Sequence, residues 1–76
     1  MTRYKIQQIQ QSTVTDAFYV AEEYEKELET DEEAIQMMQD EKNRLVDGMR
    51  GVRVVRYAGC GTDNYDRWEQ VEADFQ

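Results

Sequence analysis

Carboxylates dominate one short stretch of this chain. Residues 22–33, EEYEKELETDEE, contain eight acids and one base, Lys26. From Asp16 to Glu33, nine acids and one base sum to −8, which equals the net charge of the whole protein, so the other 58 residues are neutral together. A block of charge this localised creates a directional field that can steer a basic partner. The candidate binding residues are Glu22, Glu23, Glu25, Glu27, Glu29, Asp31, Glu32 and Glu33.

Acid–base catalysis is the first chemistry that so many carboxylates suggest. It requires a raised carboxyl pKa, which comes from burial or from an enforced like-charge pair, and a row of solvated acids provides neither. The chain also has no His, which removes the usual general base, the Ser–His and Cys–His pairs and the commonest metal ligand. We therefore expect no catalytic residues and no enzyme activity.

Metal and thiol chemistry receive little support. Around Asp63 the sequence TDNYD suggests a calcium loop, but Tyr65 and Arg67 occupy two positions that need oxygen ligands. The single Cys60 lies between two glycines and excludes an internal disulfide, and the chain has no His that could activate its thiol. We expect a turn residue at Cys60, no metal site and no cofactor.

A helix is predicted over residues 31–48. Apolar residues recur there at helical spacing, and Thr30 with Glu33 forms a capping box. Gly48 is a stop signal near the end of this segment. The stripe consists of Ala34, Ile35, Met38, Leu45, Val46 and Met49.

Two strands are predicted on either side of this helix. Residues 52–58, VRVVRYA, are β-branched and aromatic and follow Gly51. In residues 3–10, Tyr4 and Ile6 would lie on one face of a strand and Ile9 on the other. This pattern fits a strand with a bulge or a poor helix. We prefer the strand.

Residues 17–30 and 65–75 fit either a helix or a strand. In 17–30, a strand places four large apolar residues on one face and alternate acids on the other, whereas a helix aligns Ala17, Ala21, Tyr24 and Leu28. A helix would oppose like charges at i,i+4, for example Glu23 with Glu27. The apolar set is Phe18, Val20, Tyr24 and Leu28; the acidic set is Glu23, Glu25, Glu27 and Glu29.

The strand interpretation gives a complete fold. Residues 65–75 pair with 52–58 through the turn GCGTDN. The prediction is a single α+β domain over residues 1–76, with the order ββαββ, in which one helix packs on one face of a small antiparallel sheet.

On this fold the acids form a ladder. Solvent-facing acids along a strand lie about 6.6 Å apart, because each residue rises about 3.3 Å, and the row continues into the first turn of the helix. A regular row of negative charge resembles a nucleic-acid backbone and would enter a basic groove built for DNA or RNA. The alternative is a solvated face that discourages edge-to-edge aggregation.

Aromatic residues provide a second group of interface candidates. Tyr57, Tyr65 and Trp68 could form an aromatic interaction patch, because Trp and Tyr are enriched at binding hot spots, although core positions are the alternative. The secondary interface candidates are Tyr24, Tyr65 and Trp68. Met37 lies off the helical stripe and could face a partner. The bases Arg50, Arg53 and Arg56 are expected to pair with acids rather than to bind nucleic acid.

The acidic junction and the following strand carry a family resemblance. Residues 29–34, ETDEEA, leave a strand and enter a helix, and residues 51–56, GVRVVR, return as a strand. Over residues 17–58 this order resembles a coliphage inhibitor of bacterial RNA polymerase and several small anti-CRISPR proteins. The resemblance implies a non-catalytic phage protein that blocks a host nucleic-acid-handling complex through an acidic surface.

Two functional hypotheses follow. The first is an inhibitor in the host cytosol that binds a nucleic-acid-binding protein or ribonucleoprotein, without contacting nucleic acid or a membrane itself. The second is a structural or regulatory interaction module, either a homodimer or an accessory subunit, in which the acids are only a solvated face.

Overall fold

The computed structural model describes the whole chain, Met1–Gln76, as four strands and one helix. The elements are β1 (Thr2–Gln11), β2 (Phe18–Leu28), α1 (Asp31–Lys42), β3 (Gly51–Cys60) and β4 (Asp66–Phe75). The strands form one sheet in the order β2-β1-β3-β4, and every neighbouring pair is antiparallel. The predicted α+β class is confirmed, and the two ambiguous segments form strands.

The core lies between α1 and one face of the sheet. Six side chains with at most 1% exposure form it: Tyr4, Ile6, Ala34, Met38, Val52 and Val54. Removing a Val, Ile or Met side chain from water stabilises a fold by about 1.5–3 kcal/mol, so this small cluster is the main source of stability. The opposite face, called the open face below, has no helix over it.

The helix begins where the sequence predicts and ends earlier. The Thr30 hydroxyl accepts a hydrogen bond from the Glu33 N–H at 3.2 Å, as a capping residue should. The helix stops at Lys42 rather than residue 48, because tight turns follow in which the Leu45 N–H donates to the Lys42 carbonyl. These turns let Leu45 pack against the core.

Met37 lies on the core side of this helix. It is partly buried and packs against the core cluster. Of the two alternatives for Met37, the contact with the core is the one that the structure shows.

Strand β2 contains a bulge that changes which face its residues occupy. Gln8 pairs with Glu22 but Ile9 pairs with Val20, so Ala21 is an extra residue on β2. Side chains alternate faces along a strand, so Ala21 inverts the alternation. Tyr24 continues to face the helix, whereas Val20 lies on the open face.

Phe18 follows Val20 onto the open face. The prediction that Phe18 and Val20 share a face with Tyr24 and Leu28 is therefore wrong. Ile9 also lies on the open face, since β1 runs without interruption against β3 and pairs Ile9 with Gly51.

Gly51 permits a close approach between β3 and β4. A Cβ atom at this position would lie 2.4 Å from the Asp74 carbonyl oxygen and 2.8 Å from the Phe75 ring. Only glycine avoids that contact, and its lack of a side chain allows the Phe75 ring to lie over the open face.

Candidate functional site

The predicted acids lie along one edge of the sheet. Strand β2 has only β1 as a neighbour, and it leads through Glu29 and Thr30 directly into α1. Glu23, Glu25 and Glu27 share the open face because they pair with Gln7, Lys5 and Arg3 of β1. The remaining acids are Glu22 on the helix side of β2, Glu29 in the connection, and Asp31, Glu32 and Glu33 in the first turn of α1.

Two acids of the ladder are paired with bases of β1. Arg3 donates two hydrogen bonds to the Glu25 carboxylate, at 2.9 and 3.2 Å. This hydrogen bond, more than the charge of Arg3 alone, lowers the pKa of Glu25. Glu23 lies 3.8 Å from the Lys5 ammonium and accepts a hydrogen bond from Gln7. Both acids are therefore partly neutralised.

Asp31 fastens the start of the helix to the sheet. Its carboxylate accepts hydrogen bonds from the Tyr4 hydroxyl and from Arg56, both at 2.5 Å. The hydrogen bond from Tyr4 and then that from Arg56 lower the pKa of Asp31. Burial and the bond to Asp31 raise the pKa of Tyr4 to about 12. Asp31 therefore stabilises the packing of the helix on the sheet, and its carboxylate is already occupied by Tyr4 and Arg56.

The other acids have no ion pair. Glu33 takes part in the Thr30 cap. We call the rest the free acids: Glu22, Glu27, Glu29 and Glu32, which are all exposed and form neither a salt bridge nor a side-chain hydrogen bond. Three of the free acids are close in sequence at the junction of β2 and α1: Glu27 lies near the end of β2, Glu29 in the connection and Glu32 in the first turn of α1.

Of the three arginines that were expected to pair with acids, Arg56 does so, whereas Arg50 and Arg53 form no ion pair. Arg56 binds Asp31 and also Glu69 at 3.0 Å. Arg53 donates to the Gln7 side-chain oxygen at 2.6 and 2.9 Å and has no carboxylate partner. The neutralising bases for Glu23 and Glu25 come from β1 instead.

Trp68 belongs to a cluster of cations and aromatic rings on the open face. Its ring meets that of Tyr57 edge-on, with centroids 5.3 Å apart. Arg3 lies 4.6 Å from the Tyr57 centroid, and Lys5 lies 4.5 Å from that of Trp68. These cation–π contacts hold Arg3 and Lys5 beside the acids, so Trp68 indirectly positions the acid ladder.

The other two aromatic candidates lie apart from this cluster. Tyr24 is half-buried and packs against the core. Tyr65 is exposed in the β3–β4 turn. Of the predicted patch, the structure therefore brings Tyr57 and Trp68 together, whereas Tyr65 forms no ring contact with them.

Cys60 contacts Tyr57 and Asp66 near the β3–β4 turn. Its sulfur lies 3.4 Å from the Tyr57 hydroxyl and 3.5 Å from an Asp66 oxygen. The contact with Cys60 and then burial raise the pKa of Tyr57 to about 12. In the same turn, Asp63 accepts from the Tyr65 N–H and pairs with Arg67. No group of three or more Cys, Asp or Glu side chains is placed to hold a metal ion.

Sequence reasoning missed an apolar surface at the other end of the open face. We call it the apolar end: Ile9, Phe18, Val20 and Phe75 on the open face, together with Tyr19, which lies between Phe18 and Val20 on β2. With Arg53 these residues line a shallow depression of about 270 Å³. The Phe18 and Phe75 rings are 6.1 Å apart, centroid to centroid. The bulge at Ala21 creates this surface, because without it Phe18 and Val20 would face the helix.

Three carboxylates have lowered pKa values. The acids with shifted pKa values, Glu25, Asp31 and Asp74, all shift downward, so they are ionised near neutral pH. The 12-residue α1 is too short and too polar to cross a bilayer. Comparison with known family models, curated proteins and solved structures finds no match for this chain.

Proposed function

We propose that this protein is a non-catalytic inhibitor that docks its acidic edge onto a basic, nucleic-acid-binding surface of a host DNA- or RNA-processing complex. The observation that supports this proposal is the group of free acids at the junction of β2 and α1. Glu27, Glu29 and Glu32 have no internal partner, so their charges are available to another molecule.

The balance of charge along the acidic run supports one part of it as the centre of the proposed docking surface. In the run from Asp16 to Glu33, three of nine acids are paired with bases from outside the run, and Lys26 offsets one more. Five uncompensated charges remain, and most lie from Glu27 onward. The proposed contact is therefore the junction, with Glu23 and Glu25 as a partly neutralised extension of it.

The physical basis is electrostatic attraction at long range. A basic groove that binds nucleic acid carries Lys and Arg positioned for phosphates, and an edge with several exposed carboxylates competes for them. Such attraction raises association rates and is screened by salt, with a Debye length of about 8 Å at physiological ionic strength. Partners of this kind, including CRISPR effectors and RNA polymerases, lie in the cytosol of a bacterial host.

The test is charge reversal at the free acids. We expect the triple variant Glu27→Lys, Glu29→Lys, Glu32→Lys to lose binding to and inhibition of a purified target, such as a guide-loaded CRISPR nuclease or an RNA polymerase. Binding by the natural chain should weaken steeply as salt rises. These substitutions break no hydrogen bond or ion pair, so circular dichroism should be unchanged.

A second triple variant provides the matched control. Asp40→Lys, Asp47→Lys, Glu72→Lys changes the net charge equally but on exposed residues outside the acidic run. It should retain inhibition. Full inhibition by the junction variant, or equal loss in both variants, would contradict the proposal.

The exposed apolar end favours a second candidate, a structural or regulatory interaction module. Such a module would bind its partner through the open face, and high salt would not weaken that binding. Trp68→Ala should impair it by releasing Arg3 and Lys5. Sedimentation of the protein with a candidate partner at two salt concentrations separates this module from the acidic inhibitor.

A further inference from the structure

The apolar end lies in the least charged part of the chain. Residues 6–21 contain one charged residue, Asp16, in a protein in which 34% of residues are charged. They form most of β1, the turn after it and the start of β2. Depletion of charge together with enrichment in aromatic side chains is the compositional signature of a protein interface.

Large apolar side chains are exposed in this region. Phe18 is 58% exposed, Phe75 50% and Val14 90%. Phe18 and Phe75, with Tyr19 and Val20, surround the depression described above. Scattered exposed apolar residues are ordinary, whereas a contiguous group around a depression marks a binding surface.

The turn beside the depression presents Val14 in a fixed conformation. The Ser12 hydroxyl accepts hydrogen bonds from the Val14 and Thr15 N–H groups, at 3.1 and 3.2 Å. The Ser12 N–H donates to the Ala17 carbonyl at 2.9 Å, which closes the turn. Val14 is therefore a preorganised projection, and little conformational entropy is lost when it is bound.

Two opposite charges in this region lack partners. Asp16, in the turn, forms no ion pair, and Arg53, at the wall of the depression, is bound only to the neutral Gln7. Asp16 precedes Phe18 by two residues, and Arg53 lines the depression together with Phe18. In a two-fold pairing over this depression, any contact of Asp16 with Arg53 of the other copy occurs twice.

We propose that the apolar end is an interface between two copies of this chain, in which Val14 of each copy enters the depression of the other. A projection and a depression side by side satisfy the requirement of a two-fold interface, where each contact occurs twice. A different protein would need its own projection and its own acid to match Arg53, whereas this chain supplies both.

The position of the acids permits this pairing. Along β2, Glu27 is nine residues from Phe18, or about 30 Å at a rise of about 3.3 Å per residue. That distance exceeds the Debye length of about 8–10 Å at ordinary salt. Two copies can therefore meet at their apolar ends without strong repulsion between their acidic junctions.

Sedimentation equilibrium provides the test. We expect the average mass to rise from 9.0 kDa toward twice that value between about 10 μM and about 1 mM, where small interfaces associate, and to do so at low and high salt alike. Val14→Asp should abolish the rise. Val46→Asp, a matched substitution at an exposed valine outside the depression, should not.

Two further measurements keep the outcome decisive. Phe18→Ser should also abolish association, and circular dichroism checks that each variant folds. In the natural chain, amide NMR shifts that depend on concentration should be confined to residues 9–20, 51–53 and 75. A monomer at every concentration, or a dimer that persists in Val14→Asp, would overturn the proposal; the first result would assign the surface to another partner.

Discussion

Removal of the Tyr4 hydroxyl tests whether Asp31 is a structural anchor. The hydroxyl is buried, since Tyr4 is 1% exposed, and donates a 2.5 Å hydrogen bond to the Asp31 carboxylate. A hydrogen bond to a charged group contributes about 1.5–3 kcal/mol. In Tyr4→Phe, the Asp31 carboxylate keeps its hydrogen bond from Arg56 and can bind water. We therefore expect the free energy of unfolding to fall by about 1–2 kcal/mol, near the lower end of that range.

That loss is measurable by urea unfolding followed by circular dichroism. For a domain of this size each kcal/mol lowers Tm by about 4–8 °C. Asp31→Asn should also destabilise the fold, and the double variant with Tyr4→Phe should lose less than the two single losses combined, because both remove the same contact.

Glu32→Gln provides the control for this experiment. Glu32 lies in the same helical turn but forms no ion pair, so its removal should change stability by no more than about 0.5 kcal/mol. If Asp31→Asn behaves like Glu32→Gln, or if Tyr4→Phe is as stable as the natural chain, the assignment of Asp31 as an anchor is wrong.

The remaining predictions concern one glycine and the two ends of the pH scale. Gly51→Ala should destabilise the fold by about 1–3 kcal/mol, since a methyl group there overlaps the Asp74 carbonyl; normal stability in urea would contradict this. Because the pKa of Tyr4 rises from 10.0 to about 12 on folding, stability should be retained below pH 10 and fall as pH rises toward 12, less so in Tyr4→Phe. Because folding lowers the pKa of Glu25, Asp31 and Asp74, stability should be retained above about pH 4.5 and fall as pH drops further. Urea midpoints measured across both pH ranges test these dependences, and flat profiles would refute them.

The element order was predictable because its signals are local. Thr30 and Glu33 mark the helix start, and alternation along residues 52–58 marks a strand. The bulge at Ala21 was not predictable in the same way. Phe18 and Val20 suit either face of a strand, so the face that they occupy depends on where the helix packs. The helix α1 covers only part of one face of the sheet, and the β2 residues that pack against the core beneath it are Tyr24 and Leu28.

The sequence was sufficient to predict which acids form the candidate site, but not which bases pair with them. The position of the acids is visible in the sequence, and the structure places them along one edge. Their partners depend on strand register, which sets Arg3 opposite Glu27 and beside Glu25. No local pattern specifies that register, so Arg50 and Arg53 were expected where Arg3 and Lys5 act. The lack of charge in residues 6–21 was visible in the sequence and was overlooked.

The separation of charge within this molecule makes its two proposed surfaces independent. In the two proposals, the junction binds through charges that salt screens, whereas the apolar end binds through burial of apolar surface, which salt does not weaken. The two lie at opposite ends of β2, about 30 Å apart by strand rise. Val14→Asp should therefore leave inhibition by the acidic junction intact in the monomer, and the triple charge reversal at Glu27, Glu29 and Glu32 should leave self-association intact. If either variant removes both properties while the protein stays folded, the target binds the dimer across both ends, and the assignment of separate roles to the two surfaces is wrong.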